Sequence, residues 1–190
     1  MLDEKLEEAV WAAKSLFDRG RVTGSSGNIS FCFEDKMYIS GSGTCFGRLK
    51  KEEFSILSLK GERLNDVRPS KEWPMHLAVY REQRNTGAVI HTHGRYAVLW
   101  SCIDGLDENN CIPEHTPYLR MKVGNVGLIP YFTPGSEELF AAFEERVSSS
   151  NAYLLRQHGA LVPAKSIMEA FFGIEELEEA SFAAWNLKYS

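Results

Sequence analysis

The sequence predicts one α/β or α+β domain spanning residues 1–190, and three observations carry that reading. Helix-like and strand-like segments alternate along the chain, with hairpins among them. With 190 residues, 44% of them hydrophobic and 25% charged, the chain is long enough to bury roughly 70% of its unfolded surface around one core. No internal repeat, linker or low-complexity stretch divides it.

The elements follow in order. Leu6, Val10, Ala13 and Phe17 recur every three or four residues, which predicts a helix from Leu2 to Arg19, closed by Gly20. The polar turn Gly24-Ser25-Ser26-Gly27-Asn28 leads into a hairpin with strands Ile29–Phe33 and Met37–Ser40, joined by Glu34-Asp35-Lys36. A second turn, Gly41-Ser42-Gly43-Thr44, follows at once, and Phe54–Leu59 reads as a short strand. Pro69-Ser70-Lys71-Glu72-Trp73-Pro74 opens a helix to about Arg81, with Pro74 confined to its first turn. Ala88–His93 is apolar and β-branched, a buried strand, with a helix over Tyr96–Cys102 behind it. Gly105–Pro117 has no period and reads as a long connection. Gly127–Pro130 is a short strand, Ser136 caps a helix to Arg146, and Ala152–Leu155 is a strand that reaches Gln157-His158-Gly159. Ser166 and Glu169 form a capping box for a last helix towards Lys188.

Composition removes several function classes. Nothing approaches the run of about 18 apolar residues that a membrane span needs. The N-terminus MLDEKLEEAVWAAK is acidic and amphipathic, unlike a signal peptide. A net charge of −5 argues against a nucleic-acid partner, although a locally basic pocket for a small anion remains compatible with it. Cys32, Cys45, Cys102 and Cys111 form no CxxC pair and read as reduced thiols of a cytoplasmic protein.

The histidines carry the first chemical signal. His91 and His93 end a strand two residues apart, so both imidazoles share a face at a spacing that suits a divalent metal, zinc above all. Alone, such a pair fits hydrogen-bonded or solvated histidines equally well. His158 emerges from a second apolar strand, and Glu72 stands near a helix start, where a carboxylate ordinarily complements the dipole. Taken together, Glu72, His91, His93 and His158 form a three-histidine, one-carboxylate set whose carboxylate can leave the metal and act as a base. The turns Gly24–Asn28, Ser42-Gly43-Thr44 and Ser70-Lys71 offer N–H groups and hydroxyls to an anion, although each alone also suits an ordinary hairpin. Neither GxxxxGK[ST] nor GxGxxG occurs, so nucleoside triphosphates and dinucleotides are unsupported.

The segments SGNIS, ISGSGT, PSKEWPMH, AVIHTH and LLRQHGAL, in this order, resemble the class II aldolase/adducin family over essentially the whole chain. The resemblance implies a three-layer α/β/α class II aldolase-like domain with a mainly antiparallel central sheet. It implies zinc, or another divalent metal, on Glu72, His91, His93 and His158, with Glu72 also the catalytic acid/base. It assigns phosphate binding to Gly27, Asn28, Ser42, Gly43, Ser70 and Lys71, and it implies a homotetramer with active sites between subunits. Trp11, Phe171, Phe172, Phe182 and Trp185 exceed what one buried stripe per terminal helix needs, which fits such packing.

Within the family, Glu72 disfavours the epimerases, which are similar but have aspartate there. Lys71 stands where the fuculose-phosphate aldolases have a second serine, and an ammonium there suits a substrate with another negative charge. The stretch SCIDGLDENN…TPYLRMKVGNVGLIPYFTPGS most resembles the branch that decarboxylates 3-oxo-tetronate 4-phosphates to dihydroxyacetone phosphate and CO₂ through a metal-stabilised enediolate. A fuculose 1-phosphate type aldolase reaches the same enediolate by expelling an aldehyde and is the alternative. An adducin-like binding module without catalysis is a third reading, disfavoured by the four retained metal candidates. Tyr118 aligns with a tyrosine that a neighbouring subunit offers as proton donor in the aldolases. His76, four residues after Glu72, reads as a packing residue or as a support for the metal set. The chain ends at Ser190, without the tail that places a further tyrosine over the aldolase site, which is an expectation against the standard aldolase mechanism.

Overall fold

A computed structural model describes residues 1–83 and 85–190. Among these described residues, seven strands form one mixed sheet in the order β3-β2-β1-β4-β7-β6-β5. They are β1 (Asn28–Phe33), β2 (Lys36–Ser40), β3 (Phe54–Ser58), β4 (Ala88–Thr92), β5 (Val126–Ile129), β6 (Ala152–Leu155) and β7 (Gly159–Ala164). Every neighbouring pair is antiparallel except β5 and β6. The helices are α1 (Leu2–Asp18), α2 (Trp73–Glu82), α3 (Arg95–Ser101), α4 (Tyr118–Lys122), α5 (Glu137–Arg146) and α6 (Ile167–Tyr189).

Alternation along the strands sorts the side chains into two cores, one on each face of the sheet. Ile29, Phe31, Ala88, Ile90, Ala160 and Val162 face a layer built from α1, α3, α4 and α6. Met37, Ile39, Leu57, Val89 and Leu161 face α2 and α5, packing on Met75, Val79, Leu139 and Phe143. The result is the three-layer α/β/α arrangement around a mainly antiparallel sheet. Among the described residues, no helix is long and apolar enough to cross a membrane.

Local chemistry explains the boundaries. Glu34 and Asp35 both take positive φ (48° and 56°), the two-residue turn whose twist matches the β1–β2 hairpin. The Ser136 side chain accepts from Leu139 N to cap α5, and Ser166 does the same from Glu169 N at the start of α6. Two features depart from the sequence expectation. The short helix α4 follows Pro117, where no periodic pattern marks it. More consequentially, β7 runs through Gly159–Ala164 and holds a central place between β4 and β6. Pro163 lacks an N–H for the ladder and marks a segment as unlike an interior strand, yet it sits near the end of β7 opposite Val89.

One buried carboxylate ties α6 to this frame. Glu178, 3% exposed, accepts hydrogen bonds from the backbone N–H groups of Tyr96 and Ala97, both at 2.9 Å, and so caps α3 just after His93. Glu178→Ala leaves those two N–H groups without a partner and is expected to cost about 1–3 kcal/mol. Thermal unfolding should register a loss of roughly 2–4 °C per kcal/mol. An unchanged melting temperature would mean that the cap contributes no free energy.

Candidate functional site

Glu72, His91, His93 and His158 reach one point from three separate parts of the fold. His91 lies in β4 on the face shared with Val89, looking towards α2, and His93 follows the strand end two residues later. Glu72 is the N-cap residue of α2, with Pro74 in the first turn. His158 sits in the β6–β7 hairpin, where Gln157 takes φ 56°. Gly159 then makes the approach possible, because a Cβ there would lie 2.2 Å from the Thr92 carbonyl and 3.0 Å from His93 Cδ2. Gly27 plays the same part opposite β4. Its φ is 79°, and a Cβ would lie 2.8 Å from the His91 carbonyl oxygen.

One ligand atom from each of the four residues falls within 4.8 Å of the others. His91 Nε2 stands 3.0 Å from His93 Nε2 and 3.4 Å from Glu72 Oε2, while His158 Nε2 is 3.0 Å from Glu72 Oε1. The three imidazoles meet edge to face, with centroids 4.8–4.9 Å apart. His91 Nδ1 lies 2.9 Å from the Ala160 carbonyl, which only accepts, so Nδ1 carries the proton and Nε2 presents a lone pair. Glu72 Oε1 and both ring nitrogens of His158 are buried without a hydrogen-bond partner among the described residues, despite the 3.0 Å approach. Buried polar atoms of this kind are rare unless something else satisfies them. Lone pairs converging on one point, from three nitrogens and an oxygen, fit a divalent cation.

The electrostatics suit that use. Burial holds His91 well below the ordinary imidazole range and, with His158 and Lys71 nearby, brings His93 down to about 4, so both present neutral rings. Burial alone would raise the Glu72 carboxyl. Positive charge brought to the cluster on His91 or His158, and the hydrogen bond from the Asn28 amide, act the other way and hold the group below the usual carboxylate range.

Beside this cluster opens a cavity of about 330 Å³. Gly27, Asn28, Ser42, Gly43, Ser70 and Lys71 all line it, together with Glu72, His93 and His158. Its polar wall thus holds the glycine–hydroxyl turns singled out from the sequence. His91, fully buried, stands behind this wall rather than in it. Pro134 is a lining residue that sequence reasoning passed over, and its carbonyl accepts a 3.2 Å hydrogen bond from Lys71 Nζ. Tyr118 lies elsewhere: it is 58% exposed at the start of α4 and does not line the cavity of its own chain.

Comparison with known proteins adds a relationship to this geometry. The family described as Class II Aldolase and Adducin N-terminal domain matches residues 7–185. A 3-oxo-tetronate 4-phosphate decarboxylase of Escherichia coli O6:H1 is 40% identical over 92% of this chain and 83% of its own. An L-fuculose phosphate aldolase of Methanococcus maripaludis is 33% identical over 93% of both chains. The solved structure of YgbL from Klebsiella pneumoniae superposes with a TM-score of 0.94 at 37% identity, covering 98% of this chain and 91% of that one.

Proposed function

The chain belongs to the class II aldolase and adducin N-terminal domain family, and from that premise we propose that it is a metal-dependent carbon–carbon lyase that decarboxylates a 3-oxo-tetronate 4-phosphate. The observation that carries this reading is the Glu72–His91–His93–His158 cluster at the wall of a polar, hydroxyl-rich cavity. The choice of decarboxylation follows the relatives, since those named as decarboxylases reach 40% identity and those named as L-fuculose phosphate aldolases 33%.

In this reading Glu72, His91, His93 and His158 would hold a divalent cation, zinc in the family's pattern. When bound, it would supply Lewis acidity for the negative charge that develops on the substrate as CO₂ leaves. The chain's own residues do the rest. Gly27, Asn28, Ser42, Gly43 and Ser70 hold the phosphate through backbone N–H groups and the two serine hydroxyls. The Lys71 ammonium adds a cation for a substrate with two anionic groups, and its hydrogen bond to Pro134 keeps it over the cavity. The C1–C2 bond breaks, CO₂ leaves, and its electron pair becomes the enediolate of dihydroxyacetone phosphate. Glu72, ionised at the cavity wall, takes a proton from water and passes it to C2, leaving hydroxide that the solvent neutralises. The other anionic group, the phosphate, stays on the product throughout.

Tyr118 serves as a proton donor only from a neighbouring copy, which fits a homotetramer with shared sites. The exposed Trp11, Phe172 and Phe182 support such an assembly. A second reading, aldol cleavage of a fuculose 1-phosphate type substrate, draws support from the Methanococcus maripaludis aldolase, which matches 93% of the chain. Both reactions pass through the same enediolate and differ in the group expelled.

A substrate panel on the purified, zinc-loaded protein separates them by scoring CO₂ and dihydroxyacetone phosphate independently. The expected result is equimolar CO₂ and dihydroxyacetone phosphate from 3-oxo-tetronate 4-phosphate. Dihydroxyacetone phosphate from fuculose 1-phosphate, with no CO₂ from the sugar acid, would favour the aldolase instead.

A further inference from the structure

A chain of buried hydrogen bonds leads away from Glu72 into the layer between the sheet and α2. Asn28 Nδ2 lies 2.9 Å from Glu72 Oε2, and Asn28 Oδ1 lies 2.5 Å from His76 Nε2. His76 Nδ1 is 2.7 Å from Ser30 Oγ, which is 2.7 Å from the Tyr80 hydroxyl. Asn28 is 2% exposed, and Ser30 and His76 are 0% exposed. Register explains the gathering. Asn28 pairs with His91 and Ser30 with Val89, so both point towards α2, where His76 and Tyr80 stand one turn apart.

Elementary chemistry fixes the direction of every link. A carboxylate only accepts, so the Asn28 NH₂ faces Glu72 and its carbonyl faces His76. That carbonyl also only accepts, so His76 Nε2 carries a hydrogen. A neutral ring then has its lone pair on Nδ1, which takes the Ser30 O–H, and the Ser30 oxygen takes the Tyr80 O–H. All four donors point towards Glu72. The asparagine amide does not pass a proton along, so the chain orients groups rather than conducting.

We propose that His76 is a positioning residue for Glu72: its Nε2–H locks the Asn28 amide with the NH₂ towards Glu72 Oε2, leaving Oε1 free to face the metal site. Glu72 Oε1 is the oxygen without a hydrogen-bond partner. Without the imidazole donor, the Asn28 carbonyl is buried unpaired, and the amide loses the contact that holds its NH₂ in line with Glu72 Oε2. The inference rests on reading Glu72 as the reactive carboxylate.

The test uses the full chain in three forms: wild type, His76→Leu and His76→Gln. Glutamine restores an N–H donor and an acceptor, whereas leucine fills the space without either. Long-range ¹⁵N spectra of histidine-labelled wild type should show His76 as the neutral Nε2–H tautomer. In the leucine variant kcat should fall about 10–100-fold, as for other residues that orient metal ligands, with KM unchanged. The glutamine variant should recover most of that loss. With Co²⁺ as the probe, the visible spectrum should change in the leucine variant and return in the glutamine variant. An Nδ1–H tautomer, or equal behaviour of the two variants, overturns the proposal. If His76→Leu does not fold, His76→Gln decides beside the wild-type tautomer: a kcat and a Co²⁺ spectrum close to wild type are expected, and a loss of about 10-fold or more in kcat overturns it. Should wild type act on neither substrate, the proposed function fails, while the tautomer and the cobalt spectra still judge the positioning role.

Discussion

His93→Ala is expected to cost the protein its bound metal and about three orders of magnitude of lyase rate, because a Lewis acid worth roughly 4 kcal/mol in the transition state corresponds to about 10³. His93 is the informative ligand to remove. His91 is fully buried beside the α2 core, so its loss would disturb packing as well as coordination. His93 stands just beyond the end of β4, half-buried at the cavity wall. Removing it leaves Glu72, His91 and His158, one ligand short of a closed set. Metal analysis after gel filtration should find about one ion per wild-type chain and very little in the variant. The metal-free forms of both proteins should melt at similar temperatures, which separates lost coordination from lost folding. Protons compete weakly here. With His93 brought down to about 4, this ring stays neutral through the ordinary imidazole range, so protons compete for this one ligand only well below pH 6.5. Equal metal content and unchanged turnover in both proteins would remove His93 from the site.

How legible this arrangement is in the sequence depends on the range of the interaction. Helix α1, the β1–β2 hairpin and the capped start of α6 are written in local signals, a repeated apolar spacing, a short polar turn and a Ser–Glu box. Strand β7 is not, since GALVPA contains a proline that speaks against an interior strand. What makes it a strand is β6 across the hairpin on one side and, on the other, β4, about seventy residues back in the chain. The expected strand ending near Gly159 is therefore half of a hairpin, and His158 lies at its bend.

The site divides in the same way. The one-residue gap between His91 and His93 reads directly as two imidazoles at one strand end. Glu72 looks like an ordinary helix-start carboxylate, and only the family resemblance raises it above that. The hydrogen bonds that give it a defined orientation come from β1 and from the next turn of α2, a relation that sequence spacing does not contain. His76 illustrates the point: four residues from Glu72, it suits packing and support alike until Asn28 and Ser30 are placed beside it. Pro134 is further still, entering the cavity wall from the loop before α5 through the Lys71 side chain.

Glu72→Gln is the second large effect, and its logic follows from that orientation. Glutamine keeps the volume of a side chain only 4% exposed, so packing survives and the change is one of charge and direction. The amide has two ways to sit. With its NH₂ at the Oε2 position, it meets the Asn28 NH₂ at a distance of 2.9 Å, donor against donor. With its NH₂ at the Oε1 position, it turns hydrogens towards the point where His158 Nε2 and the other ligand atoms converge. Neither orientation offers a cation what the carboxylate offers, and neither can take up a proton. Turnover should therefore fall by about 10²–10⁴, the span of general acid–base catalysis, with metal affinity weakened as well. Proton movement can be read without the sugar acid, by following exchange of a carbon-bound hydrogen of dihydroxyacetone phosphate in heavy water. Wild type should catalyse this reverse of the last step, and Glu72→Gln should lose it to a similar degree. Wild-type exchange in the glutamine variant, with metal still bound, would assign the proton to another group, and Tyr118 of a neighbouring copy would be the first to replace.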